Sequence, residues 1–94
     1  MTIPMSTTVD AVTDDSAAEP RLSPDARERI QRAGRDLWRV LDPSGHVIGH
    51  VQSLRHPLGT RFVAKRYHAP TTRFRELGEF WSADDAAACL RYSV

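Results

Sequence analysis

From Leu37 onward, apolar and polar residues alternate in short runs separated by turn-forming residues, the period of strands with one buried face. The run LWRVLD, the turn residues Pro43, Ser44 and Gly45, and the run HVIGHVQSL together predict a β-hairpin. A loop, RHPLG, leads to TRFVAKRYH, and Ala69-Pro70-Thr71-Thr72 turns the chain into RFRELGEF. The pattern predicts an antiparallel β-meander of three to four strands. Because side chains alternate with a period of two, a one-residue slip in any pairing would exchange the two faces.

A helix follows the strands. Ser82 and Asp85 form a near capping box, Asp84 adds negative charge at the amino end, and the helix starts at Ala83. Ala86, Cys89 and Leu90 fall on one stripe whose small residues allow close packing on a sheet. A second, shorter helix is predicted between Ser23 and Gly34: Ser23 caps, Pro24 suits the first helical position, and Asp25–Arg29 and Glu28–Arg32 are spaced as i,i+4 pairs. Its apolar content is only Ala26, Ile30 and Ala33, so it must dock through Ile30. Residues 1–20 show no period and read as a disordered acidic tail. The expected organisation is therefore a tail over 1–20, a short helix and linker over 21–36, and an α+β domain over 37–94 in which a C-terminal helix packs the meander.

Composition narrows the function. At 94 residues and 40% hydrophobic content, the chain is one small domain that buries about 60% of its unfolded surface. No apolar run is long enough for a membrane span and no signal peptide is apparent, which predicts a soluble, cytoplasmic protein. A single cysteine, Cys89, allows no internal disulfide and offers no paired thiolates to zinc. The formal net charge is only +1, but it is unevenly spread. Asp10, Asp14, Asp15 and Glu19 stand in the tail without a basic residue, whereas the window from Pro43 to Arg75 holds Arg55, Arg61, Lys65, Arg66, Arg73, Arg75 and every histidine, with no acid. Such a window is a candidate anion-binding surface.

The stretch from Gly59 to Tyr92 resembles the AP2-type and phage-integrase amino-terminal DNA-binding domains. The resemblance is carried by Phe62 with Ala64, by Leu77-Gly78-Glu79-Phe80, and by Ser82-Ala83-Asp84-Asp85-Ala86-Ala87. The segment from Leu37 is also similar to small proteins of high-GC bacteria labelled "DNA mismatch repair protein". The resemblance implies a sheet laid into the major groove of DNA with the helix on its far side, and a setting in repair or recombination. With Phe62 and Ala64 facing the helix, Arg61, Val63, Lys65 and Tyr67 would face DNA. The candidate nucleic-acid-binding residues are Arg55, Arg61, Lys65, Arg66, Tyr67, Arg73 and Arg75. The likeness also departs from the pattern: Arg66 and Arg75 fall where apolar, helix-facing residues are usual, while Phe74 and Glu76 fall where contacts to DNA would be. Either a bulge resets the parity, or the amino-terminal helix covers part of the second face through Ile30.

Other candidate chemistry recedes. His46 and His50 lie about 13 Å apart on a strand, too far to share a metal ion. Cys89 reads as a packed thiol, and Trp38 and Trp81 as core or rim packing, with Trp81, next to Phe80, also placed to flank a binding groove. No phosphate loop, carboxylate pair or nucleophilic triad is present, so the expectation is no enzyme, no cofactor and no metal. DNA is the expected partner. The alternatives are a protein-interaction module accessory to a DNA-processing enzyme, and single-stranded RNA stacked on Tyr67 and Phe74.

Overall fold

The computed structural model describes residues 18–93. The alternation read in the sequence becomes one five-stranded antiparallel sheet whose spatial order follows the chain: β1 (Arg29–Gly34), β2 (Leu37–Leu41), β3 (Val47–His56), β4 (Gly59–His68) and β5 (Arg73–Phe80). Helix α1 (Ala83–Tyr92) lies across β3, β4 and β5 on one face. The Ser82 hydroxyl accepts a 3.1 Å bond from the Asp85 amide, the cap expected from the sequence.

Turn chemistry fixes the registers. Between β2 and β3 the Asp42 carboxylate accepts from the amides of Ser44 and His46, each at 2.9 Å, and Gly45 supplies the left-handed φ of 92°. Those donors, the His46 amide foremost, hold the Asp42 carboxyl below its usual range. The loop expected over RHPLG shortens to Pro57 and Leu58, because pairing continues through Arg55–Thr60 and His56–Gly59. A single 3-10 turn, Ala69–Thr71, joins β4 to β5.

The core lies between sheet and helix. Val40, Val51, Phe62 and Ala64 meet Ala83, Ala86, Ala87 and Leu90, all buried. The alanine-rich face brings α1 close to the strands. Leu90 comes so close that the sheet position beneath it must be a glycine, Gly49.

The sequence expectations need correction at the amino end. The short helix between Ser23 and Gly34 does not form. Its start signals make one turn, closed by the Ala26 amide bonding the Ser23 carbonyl at 2.9 Å, after which Arg29–Gly34 pairs with β2 as an edge strand. The sheet accordingly has five strands rather than three to four. Pairing with Leu37–Leu41 satisfies backbone groups and sets Ile30 opposite Val40, more than an isolated helix with one large apolar residue can offer. Most of the expected tail lies outside the described residues. Its end is docked: the Ala18 amide donates to Thr60 at 3.2 Å, and Pro20 is fully buried. From there residues 18–28 pass α1 on the helix side of the sheet, with Ser23 donating to Asp84 near its start and Glu28 accepting from Arg91 near its end. No helix among the described residues is long and apolar enough to cross a membrane.

Candidate nucleic-acid interface

Cross-strand partners in an antiparallel sheet share a face, so the registers assign every side chain. Phe62 and Ala64 face the helix, and Arg61, Val63, Lys65 and Tyr67 take the opposite, open face. The parity question on β5 is answered by a bulge. Ala64 pairs with Gly78 but Lys65 pairs with Glu76, so Leu77 is the extra residue and packs toward the core. As a result Phe74 and Glu76 stand on the open face, beside Tyr67 and Lys65, while Arg75 and Arg73 join Arg66 and His68 on the helix side. The docked amino-terminal segment lies on the helix side; on the open face Val63 is buried, while Tyr67, Phe74 and Trp81 stand exposed.

The structure therefore divides the candidate residues. Arg61, Lys65 and Tyr67 share the open face. Arg61 is half-buried there: it is ion-paired to Glu79 at 2.8 Å and stacked over Trp81 at 4.1 Å, which takes it out of the set of free cations. Arg66 serves the fold. Its guanidinium donates to the carbonyls of Leu90 at 3.1 Å and Ser93 at 2.6 Å, closing the carboxyl end of α1, where a cation is favoured. Arg73 and Arg75 project, exposed, from the outer strand near the tip of the β4–β5 hairpin. Arg55 stands at the other end of the sheet, paired with Thr60 on the helix side.

The open face also collects Arg39 and His50, which sequence reasoning left out, beside Lys65, Tyr67, Phe74 and Glu76. Arg39, His50, Lys65 and Glu76 form one rung across β2 to β5. Phe74 meets His50 at 5.0 Å and 77° and Tyr67 at 5.5 Å and 68°, with the Lys65 ammonium 6.0 Å from its centroid. Trp81, read in sequence as packing or as the flank of a groove, is 51% exposed and meets His56 at 5.0 Å. Arg39 falls outside the acid-free window but follows Trp38, whose burial puts its neighbour on the open face; the alternation of β2 was the available signal. Burial, together with Arg39, lowers the pKa of His50. Among the described residues, no carboxylate pairs with Arg39, Lys65, Arg73 or Arg75.

A cleft opens beside this cluster. The β3–β4 ladder ends at His50–Lys65; beyond it Val47 and Gly49 pair only with β2, and Arg66 to His68 only with β5. The gap, about 600 Å³, is lined by Arg39, Val47, Ile48, His50, Tyr67 and Phe74, and Arg66 spans it from the helix side by reaching the Ile48 carbonyl at 3.4 Å. The Nδ1 atom of His50, at its edge, is shielded and has no hydrogen-bond partner. Among the described residues no group of His, Cys, Asp and Glu side chains gathers where it would hold a metal ion. No protein-family model matches the chain, and neither a curated protein nor a solved structure shows significant similarity to it.

Proposed function

We propose that the chain is a DNA-binding module that works through the open face of its sheet. The observation that carries this reading is the grouping of exposed aromatic side chains, Tyr67 at 49% and Phe74 at 42%, with the unpaired cations Lys65 and Arg39 on one face of the sheet. Aromatic planes offer stacking area and the cations offer phosphate contacts, the two contributions that nucleic-acid surfaces combine. Arg73 and Arg75, exposed at the same hairpin tip, extend the cationic path around the sheet edge. Glu79 does not oppose this, because Arg61 neutralises it.

The test is a salt titration of labelled DNA followed by anisotropy. Affinity is expected to fall steeply with added salt. Lys65→Glu combined with Arg39→Glu is expected to weaken it by tenfold or more, and to make the salt slope shallower by about one for each phosphate no longer neutralised. Arg55→Glu, at the far end and on the other side, is the matched control and is expected to change affinity by less than about twofold. Absence of binding near micromolar protein, or equal losses from the control, would overturn the reading. A second reading, a protein-interaction module, is favoured by Leu54 and Leu58, which stand 37% and 81% exposed at the β3–β4 end. A partner retained through nuclease treatment and lost in Leu58→Glu would select it.

A further inference from the structure

We infer that the cleft between the β2–β3 and β4–β5 hairpins receives single-stranded DNA, with one unpaired base stacked on Phe74 and the adjoining backbone passing Arg39 and Lys65. This rests on the DNA-binding reading above and narrows it to one form of DNA.

Three observations favour a single strand over a duplex. The first is the ring arrangement. Both His50 and Tyr67 meet Phe74 at steep angles, so neither lies parallel to its plane, and Phe74 remains 42% exposed beside the cleft. A parallel partner is what a free base supplies, and in a duplex each base already spends its faces on its neighbours. The second is the shape. A cleft of about 600 Å³, opened by the end of a β-ladder, lies within the usual range of about 300–1,000 Å³ for sites that enclose a small ligand, and a base turned out of a single strand is such a ligand. A duplex would present only its sugar–phosphate edge to that opening. The third is charge. Glu76, which pairs with no cation among the described residues, shares the open face with Lys65 and penalises two phosphate chains laid broadly across it. One chain can follow the narrower line past Arg39 and Lys65, on β2 and β4, and stay off Glu76 on the outer strand β5. Val47 and Ile48 give the cleft apolar walls, which suit deoxyribose and a thymine methyl group without leaving a polar atom to be satisfied.

Anisotropy of a labelled thymidine oligomer of about 12 nucleotides, set against a hairpin duplex and a uridine oligomer of equal length, tests the proposal. The thymidine oligomer is expected to bind at least tenfold more tightly than the duplex. Phe74→Ala is expected to cost it about tenfold while leaving the weaker duplex affinity unchanged, and Phe74→Trp to retain binding. Phe74 is exposed on an edge strand, so Phe74→Ala is expected to fold, which a thermal melt checks. A 5-bromouracil oligomer, irradiated with the unaltered protein, should crosslink to the peptide containing Tyr67 or Phe74. If duplex binds as well as single strand, or Phe74→Ala affects both equally, the cleft has no such role, although loss of duplex binding in the Lys65→Glu, Arg39→Glu protein would still sustain the general reading. A uridine oligomer that binds as tightly as thymidine would overturn the choice of DNA. No binding by any oligomer would overturn both.

Discussion

Replacing Gly49 with alanine is expected to lower the stability of the domain by about 1–3 kcal/mol, and Leu90→Ala by about 2–5 kcal/mol. A Cβ on Gly49 would overlap Leu90 Cδ2, and would stand 2.9 Å from its Cδ1 and 2.8 Å from the Lys65 carbonyl oxygen. Leu90 is fully buried, so it has no free direction in which to withdraw. In a domain of this size each kcal/mol moves Tm by about 4–8 °C, which makes both losses measurable by circular dichroism. The informative measurement is the double variant. Removing the Leu90 side chain clears most of the space that the new methyl invades and leaves only the clash with the carbonyl, so the combined loss is expected to be smaller than the sum. Additivity to within about 0.5 kcal/mol would mean that the two residues do not compete for one space.

That close approach explains why the carboxyl half of the fold was readable in the sequence. Each local signal there agreed with the tertiary arrangement: turn residues at Pro43–Gly45 and Ala69–Thr72, alternation in between, a cap at Ser82 and a small-residue stripe on α1. The amino end failed for the opposite reason. Ser23, Pro24 and Asp25 do form a turn, but local preference loses to the edge of β2, whose backbone groups are otherwise unpaired on that side. Glu28 is the clearest case. Its spacing to Arg32 promises a helical pair, yet the carboxylate is taken by Arg91, 63 positions away, and Arg32 instead bonds the Gly34 and Arg35 carbonyls and lies over Trp38.

The candidate site was readable by face on β4, where Phe62 and Ala64 set the parity of Lys65 and Tyr67, and not across the rest of the basic window. The window from Pro43 to Arg75 contains Lys65 and Tyr67, which the open face uses, but charge along a sequence does not say on which side of a sheet each residue emerges. The bulge at Leu77 decides that for β5, and Gly78, an isolated glycine inside the strand, is the one local signal of it. The bulge carries Phe74 to Tyr67 and sends Arg75 to the helix side, which moves the centre of the site from arginines to an aromatic pair.

Removing Arg91 is expected to cost more than removing its partner, and to reverse a pH dependence. Arg91 donates from Nε and Nη2 to the two Glu28 oxygens, both at 2.7 Å, and so ties the segment before β1 to the last turn of α1. The Glu28 side chain is 2% exposed and that of Arg91 31%. Arg91→Met therefore strands a carboxylate that water cannot reach, a loss of about 3–5 kcal/mol, whereas Glu28→Gln leaves a guanidinium that solvent partly serves and costs about 1.5–3 kcal/mol. In the unaltered protein the hydrogen bonds from Arg91 outweigh burial and hold the Glu28 carboxyl below its ordinary 4.5. The pair's contribution is thus complete above that value and is lost as pH falls through the lower folded one, because the unfolded chain binds the proton first. In Arg91→Met burial becomes the largest influence and raises the carboxyl against the weaker pull of the Glu28 amide and of Arg27. The folded state then takes the proton first, so that variant is expected to gain stability as pH falls from 7 toward about 4.5. Glu28→Gln should show neither trend beyond the background set by Asp42, which titrates alike in all three proteins. Urea midpoints for the three between about pH 3 and 7 test this, and an Arg91→Met protein that only weakens with acid would show that Glu28 does not depend on Arg91 for its charge.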